Sequence, residues 1–146
     1  MRYESSVVVD RPIDEVWAFF KDPFNVPRWT TGFLRFRPTS PGPVAVGSTF
    51  EARGAIFGFE PQITGTLTEW DPPHNITISC VGAGWRSLIL QVKFESTADG
   101  TEVLRVTDGA PGPIWKILWP ILGPWLRRQT KATNQRLKRV LEADRH

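Results

Sequence analysis

The sequence predicts an α+β domain in which a curved, seven-stranded antiparallel sheet wraps around one long C-terminal helix, with two short helices after the first strand. Three observations predict it. Apolar residues recur at every second position in six successive stretches between Phe33 and Asp108, separated by turn-forming residues. The last segment, "WLRRQTKATNQRLKRVLEADRH", changes to helical spacing. Only one further strand, at the N-terminus, precedes two short helical patterns.

The elements follow in order. "YESSVVVD" reads as the first strand, ended by Arg11-Pro12. "DRPIDEVWAFFKD" reads as a short amphipathic helix with Val16, Trp17, Phe19 and Phe20 on its apolar side and Asp10 as its expected cap. Pro23 stops it, and "PFNVPRWTTG" is a second, turn-rich helical piece. Six strands follow: "FLRFRP", "STFEARGAIF", "QITGTLTEW", "NITISCV", "RSLILQVKFES" and "EVLRVTD". Between the last two, Asp99-Gly100 is a strong hairpin signal, because both residue types tolerate positive φ. Gly54, Gly58 and Gly65 let the sheet bend.

The final helix is expected from about Pro124 to Ala143, preceded by a kink or a shorter helical piece at Pro120. Leu126, Thr130, Thr133, Leu137, Val140 and Leu141 share one face, and Arg127, Arg128, Lys131, Lys138 and Arg139 fall elsewhere. The whole chain, 1–146, is read as one domain without repeats, low-complexity runs or linkers.

Composition narrows the function classes. Hydrophobic residues make up 40% and charged residues 23%, a balance typical of packed domains in water. "MRYESSVVVD" has no basic start followed by an apolar run, and Cys80 is alone, so the expected location is cytoplasmic. The net charge of +3 is unevenly placed. From Pro113 onward there are eight basic and two acidic residues, whereas the preceding residues hold ten basic and thirteen acidic ones.

The stretch "GPIWKILWPILGPWLRRQ" could suggest a membrane span. Only 13 residues separate Ile114 from Leu126, counted inclusively, and Lys116, Pro120 and Pro124 interrupt them. A spanning helix needs about 20 apolar residues. Trp115, Trp119 and Trp125 cannot all share one helical face, so at least one is expected to be partly exposed. Beside Lys116, Arg127 and Arg128, that composition suits a kinked lid in transient contact with an anionic membrane surface. Packing against the sheet, or against a second copy in a homodimer, is the plainer alternative.

The stretches "VDRPIDEVWAFFKDPFNVPRW", "GSTFEARG", "TGTLTEWDPPH", "ADGTEVLRV" and "QRLKRVLE" together carry a resemblance. Their order and spacing resemble the START/Bet v 1-like (SRPBCC) superfamily of helix-grip proteins, within it the bacterial polyketide cyclase/dehydratase-like and lipid-transport branch. The resemblance covers essentially the whole chain. It implies a helix-grip fold with a hydrophobic cavity between sheet and long helix, holding a lipid, polyketide or aromatic molecule.

Alternation gives candidates for the cavity wall: Leu88, Leu90, Val92 and Phe94 on one strand, and Leu104 and Val106 on its neighbour. Trp119, Leu122, Leu126 and Thr133 face them from the C-terminal segment. Trp29, Phe33, Phe57 and Trp85 lie near the expected mouth. For each, ordinary core packing is the alternative. Arg35, Arg53, Glu69, Arg86 and Arg105 are strand-borne charges expected on the solvent face, and Tyr3 receives no role.

Chemistry-bearing patterns are sparse. His74 sits in the "DPPHN" turn and His146 is the last residue, so neither suits a buried, oriented base. No His/Cys/Asp/Glu spacing suggests a metal site, no glycine-rich phosphate loop precedes a helix, and no cofactor is implied. Asn75–Thr77 matches a glycosylation acceptor without a secretory signal beside it. The catalytic residues, if the chain is an enzyme, stay unknown at this stage.

The expected function is binding or carriage of a hydrophobic small molecule; the alternative is a cyclase/dehydratase-type enzyme acting on a polyketide or aromatic substrate. An inward Glu69, Asp108 or arginine beside a polar partner favours the enzyme, and a wholly apolar cavity favours the carrier. Nucleic acid is not an expected partner: the basic tail lacks an aromatic platform on a strand surface.

Overall fold

The computed structural model describes residues 2–30, 33–54, 59–82 and 84–143. Seven strands, β1 (Arg2–Val9), β2 (Phe33–Pro38), β3 (Thr49–Gly54), β4 (Gln62–Asp71), β5 (Asn75–Gly82), β6 (Trp85–Thr97) and β7 (Gly100–Pro111), form one sheet. Its order is β1-β7-β6-β5-β4-β3-β2, and every pairing is antiparallel. β2 to β7 thus form a meander, as the period-2 stretches predict, and β1 returns to pair with β7 at the edge. Register shifts in the β2–β3, β4–β5, β5–β6 and β6–β7 pairings act as bulges that add twist and curl the sheet.

The hairpin between β6 and β7 turns through Ala98 and Asp99, with Thr97 opposite Gly100. Gly100 is held at φ 136, and a Cβ there would lie 2.1 Å from the carbonyl oxygen of Val9. Only glycine brings this turn so close to β1.

The helices are α1 (Ile13–Phe20), α2 (Val26–Trp29), α3 (Pro113–Ile117) and α4 (Trp119–Ala143), with a 3-10 turn at Pro23–Asn25 before α2. α1 buries Val16, Trp17, Phe19 and Phe20. Their rings meet Phe94 at 5.9 Å from Trp17 and 5.0 Å from Phe20, and Trp17 reaches Trp70 at 4.9 Å. This aromatic cluster fills one end of the concave face. The expected Asp10 cap is not formed: the N-cap position is Pro12, with no side-chain cap. The Asp10 amide instead donates to Glu142 of α4. Arg11 donates to the carbonyls of Leu141 and Glu142, placing a cation on the carbonyl end of α4.

α4 begins a full turn earlier than the helical spacing predicts. Leu118 closes α3 and its carbonyl accepts from Ile121 and Leu122, so Pro120 occupies the first turn, where its missing N–H is harmless. Pro124 is inside the helix. Leu122, Thr133, Leu137 and Leu141 are the residues of α4 most fully buried against the sheet. Among the described residues no helix is long and apolar enough to cross a membrane.

Candidate functional site

The concave face of the sheet is not filled evenly. The α1 aromatics pack one end, while α3 and the first half of α4 cover the other, where a hollow of about 150 Å³ remains. The sheet contributes Tyr3, Phe33, Gly54, Ile63, Trp85, Leu88 and Thr107 to it. The helices contribute Trp115, Leu122, Trp125, Leu126, Gln129 and Thr130. α3 reaches this position because Gly112 donates to the carbonyl of Gly84 in the β5–β6 turn. Gly84 has φ +82, and a Cβ on it would strike the Trp115 indole nitrogen at 2.6 Å. The bare backbone at Gly84 is therefore the seat of Trp115. A smaller hollow of about 60 Å³ lies nearer the short helices, between Phe20, Val26 and Trp29 on one side and Phe50, Leu67 and Val92 on the other.

The structure brings five of the predicted wall residues together around the larger hollow: Phe33, Trp85, Leu88, Leu122 and Leu126. Trp29 and Val92 line the smaller one. Leu90 packs half-buried against the core, with the core residue Phe94 further along the same strand. Thr133 is buried with its hydroxyl 3.5 Å from that of Thr30. Trp119 stacks on Tyr3 at 6.3 Å between ring centroids. Phe57 lies outside the described residues, as do Gly58 and His146.

Leu104 and Val106 require correction. In the β6–β7 register, Leu90 faces Thr107, Val92 faces Arg105 and Phe94 faces Val103, so the odd-numbered residues of β7 point toward α4. Leu104 lies on the opposite face, in a surface dip with Lys93, Glu95 and His74, and Val106 is buried on that face between Glu4 and Gln91. Both alternations of β7 mix apolar and polar residues, and the arginine in the odd set makes that set read as solvent-facing.

That arginine is the functional side chain the pattern misplaces. Arg35, Arg53, Glu69 and Arg86 are exposed on their strands, as expected. Arg105 points inward instead. Its Nη2 donates to the Asn134 side-chain oxygen at 2.6 Å and to the Thr130 carbonyl at 3.3 Å, both on α4. Asn134 in turn donates to the Ser5 hydroxyl of β1. The guanidinium stands over the Trp29 ring, 5.9 Å from its centroid. Burial lowers its pKa to about 10. Its neighbours Thr107 and Thr130 line the larger hollow, while Val92 and Trp29 line the smaller one. Arg105 therefore stands between the two.

Of the other titratable groups, Tyr3 lines the larger hollow and Lys21 the smaller one, while the described carboxylates, His74 and Cys80 lie elsewhere. Glu69 is exposed and accepts from Asn75 at 2.8 Å, and Asp108 is exposed 3.9 Å from Arg2. The His74 ring lies 3.3 Å from the Phe94 carbonyl, in its turn. Cys80 is buried in the core, where desolvation pushes its thiol up to about 12. Among the described residues no three His, Cys, Asp or Glu side chains group closely enough to hold a metal ion.

A curled antiparallel sheet gripping one long helix, with an apolar hollow between them, defines a helix-grip domain of the START/Bet v 1-like class. The chain belongs to the family described as polyketide cyclase/dehydrase and lipid transport, whose model matches residues 1–142. No curated protein matches it. Solved structures share the fold at low identity. The Zhui aromatase/cyclase from Streptomyces sp. R1128 is 14% identical with a TM-score of 0.79, covering 97% of this chain and 93% of its own. A START superfamily protein from Mycobacterium smegmatis is 16% identical at 0.70, covering 95% and 98%. A major latex-like protein from Panax ginseng is 13% identical at 0.70, covering 94% and 95%.

Proposed function

We propose that this protein binds and carries a small hydrophobic molecule in the hollow between α3, the first half of α4 and the sheet. The observation that carries this reading is the larger hollow itself: its wall is aromatic and aliphatic, with Thr107, Thr130, Gln129 and Tyr3 as its polar contributors. Removing apolar surface from water there stabilises a complex by about 25 cal/mol per Å². Pockets for drug-sized ligands measure about 300–1,000 Å³. A hollow of about 150 Å³ thus favours a ligand smaller than these.

The test is titration with a small neutral dye such as N-phenyl-1-naphthylamine. Saturation near one site per chain, abolished by Leu122→Trp in a variant that keeps its circular dichroism, supports carriage. Absence of saturable binding removes it.

One observation favours a second reading, a cyclase-type enzyme. Arg105 is an inward arginine beside a polar partner, Asn134, and a buried guanidinium can polarise a substrate carbonyl. Proton transfer would also require a base, and among the described residues no carboxylate or histidine lines the larger hollow. Carriage is therefore the better supported of the two. Turnover of a poly-β-ketone by the wild type that is lost in Arg105→Met would reverse this preference.

Delivery from a membrane surface is the finer part of the proposal. The side chains supporting it are not the tryptophans, which are all half-buried, but Ile114, Ile117 and Ile121, which are 58%, 78% and 61% exposed. Lys116, Arg127 and Arg128 are exposed on the same segment. Salt-sensitive sedimentation with anionic vesicles, lost in Ile117→Asp, supports this contact. A concentration-dependent mass without vesicle binding assigns the patch to a second copy instead.

A further inference from the structure

We propose that Arg105 and Trp29 form a receptor for a carboxylate, so that the ligand is an amphipathic acid whose hydrocarbon part fills the larger hollow. This rests on the ligand-carrying reading above and names the class of ligand.

The argument begins with the charge. Arg105 has no carboxylate within ion-pair distance among the described residues, and its two hydrogen bonds go to neutral oxygens. Both leave from Nη2. A guanidinium offers five N–H donors in a planar fork suited to two parallel bonds with a carboxylate. The Arg105 Nε is shut off from solvent and has no acceptor. The Trp29 ring has its centroid 5.9 Å from the guanidinium carbon, and its indole N–H is in the same condition, on a residue only 9% exposed. Two buried donors without acceptors on one adjacent pair are unusual, because buried polar groups are nearly always bonded.

The chemistry that answers both donors is an acceptor, and the charge beside them selects an anionic one. An alcohol or ester oxygen could accept the hydrogen bonds without neutralising the guanidinium, and an ammonium head would be repelled. The position fits as well. Arg105 is one inward step along β7 from Thr107 and bonds the carbonyl of Thr130, both of which line the larger hollow. A ligand would enter with its head toward Arg105 and leave its tail against Leu88, Leu122 and Trp125. The bonds to Asn134 and Thr130 both leave from Nη2 and hold the guanidinium in place for this role, and the Nε N–H is not used by them.

The experiment is displacement of N-phenyl-1-naphthylamine at pH 7 by three ligands with the same tail: octanoate, octanol and octylamine. In the wild type, octanoate should displace the dye at a concentration about 10-fold or more below octanol, with octylamine weakest. Arg105→Met should remove that preference while octanol stays within about 3-fold of its wild-type value. Trp29→Phe keeps a ring and removes one donor; it should weaken octanoate about 3-fold or more and leave octanol unchanged. It carries the test if Arg105→Met does not fold. Equal displacement by octanoate and octanol in the wild type overturns the proposal while leaving carriage standing. So does an acid preference that survives in Arg105→Met, or a Trp29→Phe variant that affects both ligands alike. A chain that takes up neither dye nor octanoate overturns both.

Discussion

Replacing Arg105 by Met should leave the ligand-free protein as stable as the wild type or more so. Burial takes this guanidinium well below the ordinary arginine range, to about 10. At about 1.4 kcal/mol per pH unit, keeping it charged in the fold costs about 3 kcal/mol. Methionine removes that cost and fills a similar volume with apolar atoms. Against this gain, the Asn134 side-chain oxygen loses its donor at a cost of about 1–2 kcal/mol. The Thr130 carbonyl lies within α4 and already serves the helical ladder, so its loss is small. The balance is a gain of about 1 kcal/mol, in line with other buried charges replaced by well-packed apolar residues.

The sign with pH follows from the same lowering. The unfolded chain holds this proton more firmly than the folded one, so the penalty is complete below pH 10. It fades above about pH 10, and stability rises with pH there. From about pH 6 to 9 the difference between variant and wild type should therefore be flat. Urea unfolding at pH 7 with an unchanged m-value reads the effect directly, and thermal scans should show a rise of about 2–4 °C. A loss of more than about 2 kcal/mol would refute the reasoning. It would mean that Arg105 is a structural tie between β7, α4 and β1, not a charge held at a cost for ligand.

Three further outcomes are expected. Gly100→Ala forces a Cβ against the Val9 carbonyl at a φ that L side chains rarely adopt, and should cost at least about 2 kcal/mol in denaturant unfolding; a neutral result would contradict the close approach of the β6–β7 turn to β1. Leu137→Ala empties a fully buried position on α4 and should cost about 2–5 kcal/mol by the same assay. Cys80 should resist a thiol reagent at pH 8 in the folded protein and react fully in urea, since burial holds its pKa near 12; rapid reaction without denaturant would place it near the surface.

The fold was legible because its signals are local. Period-2 stretches bounded by Pro, Gly and Asp mark six strands in order, and each pairs with its sequence neighbour. The face of α4 could be read from Thr133, Leu137 and Leu141, one helical turn apart. Its start could not, because Pro120 and Pro124 are both acceptable openings, and the choice falls to Leu118, whose carbonyl closes the first turn. Asp10 failed as a cap because α1 begins at Ile13, which puts the N-cap position on Pro12, two residues past Asp10.

The site was legible only where one face of a strand is plainly apolar. Leu88, Leu122 and Leu126 come from such faces. On β7 the inward set is Thr101, Val103, Arg105, Thr107 and Gly109, and the outward set includes Leu104 and Val106. Hydropathy favours the wrong one. The register with β6 decides it, since Leu90 and Val92 must face α4. The available signal was the pair Glu102 and Asp108, two acids in the set that was taken as inward. Tyr3 was similarly reachable by alternation with Val7 and Val9, but nothing in the sequence places it beside Trp119.

The central claim is that the larger hollow holds the tail of an acidic ligand. A crystal structure of the protein soaked with 8-bromooctanoate tests it most directly, because the anomalous signal locates the tail end independently of any refinement. The account predicts a single bromine peak among Leu88, Leu122 and Trp125, with the carboxylate directed at the Arg105 Nε and the Trp29 indole N–H. Bromine found only outside the grip of sheet and helix, with the interior closed by side chains, would contradict it.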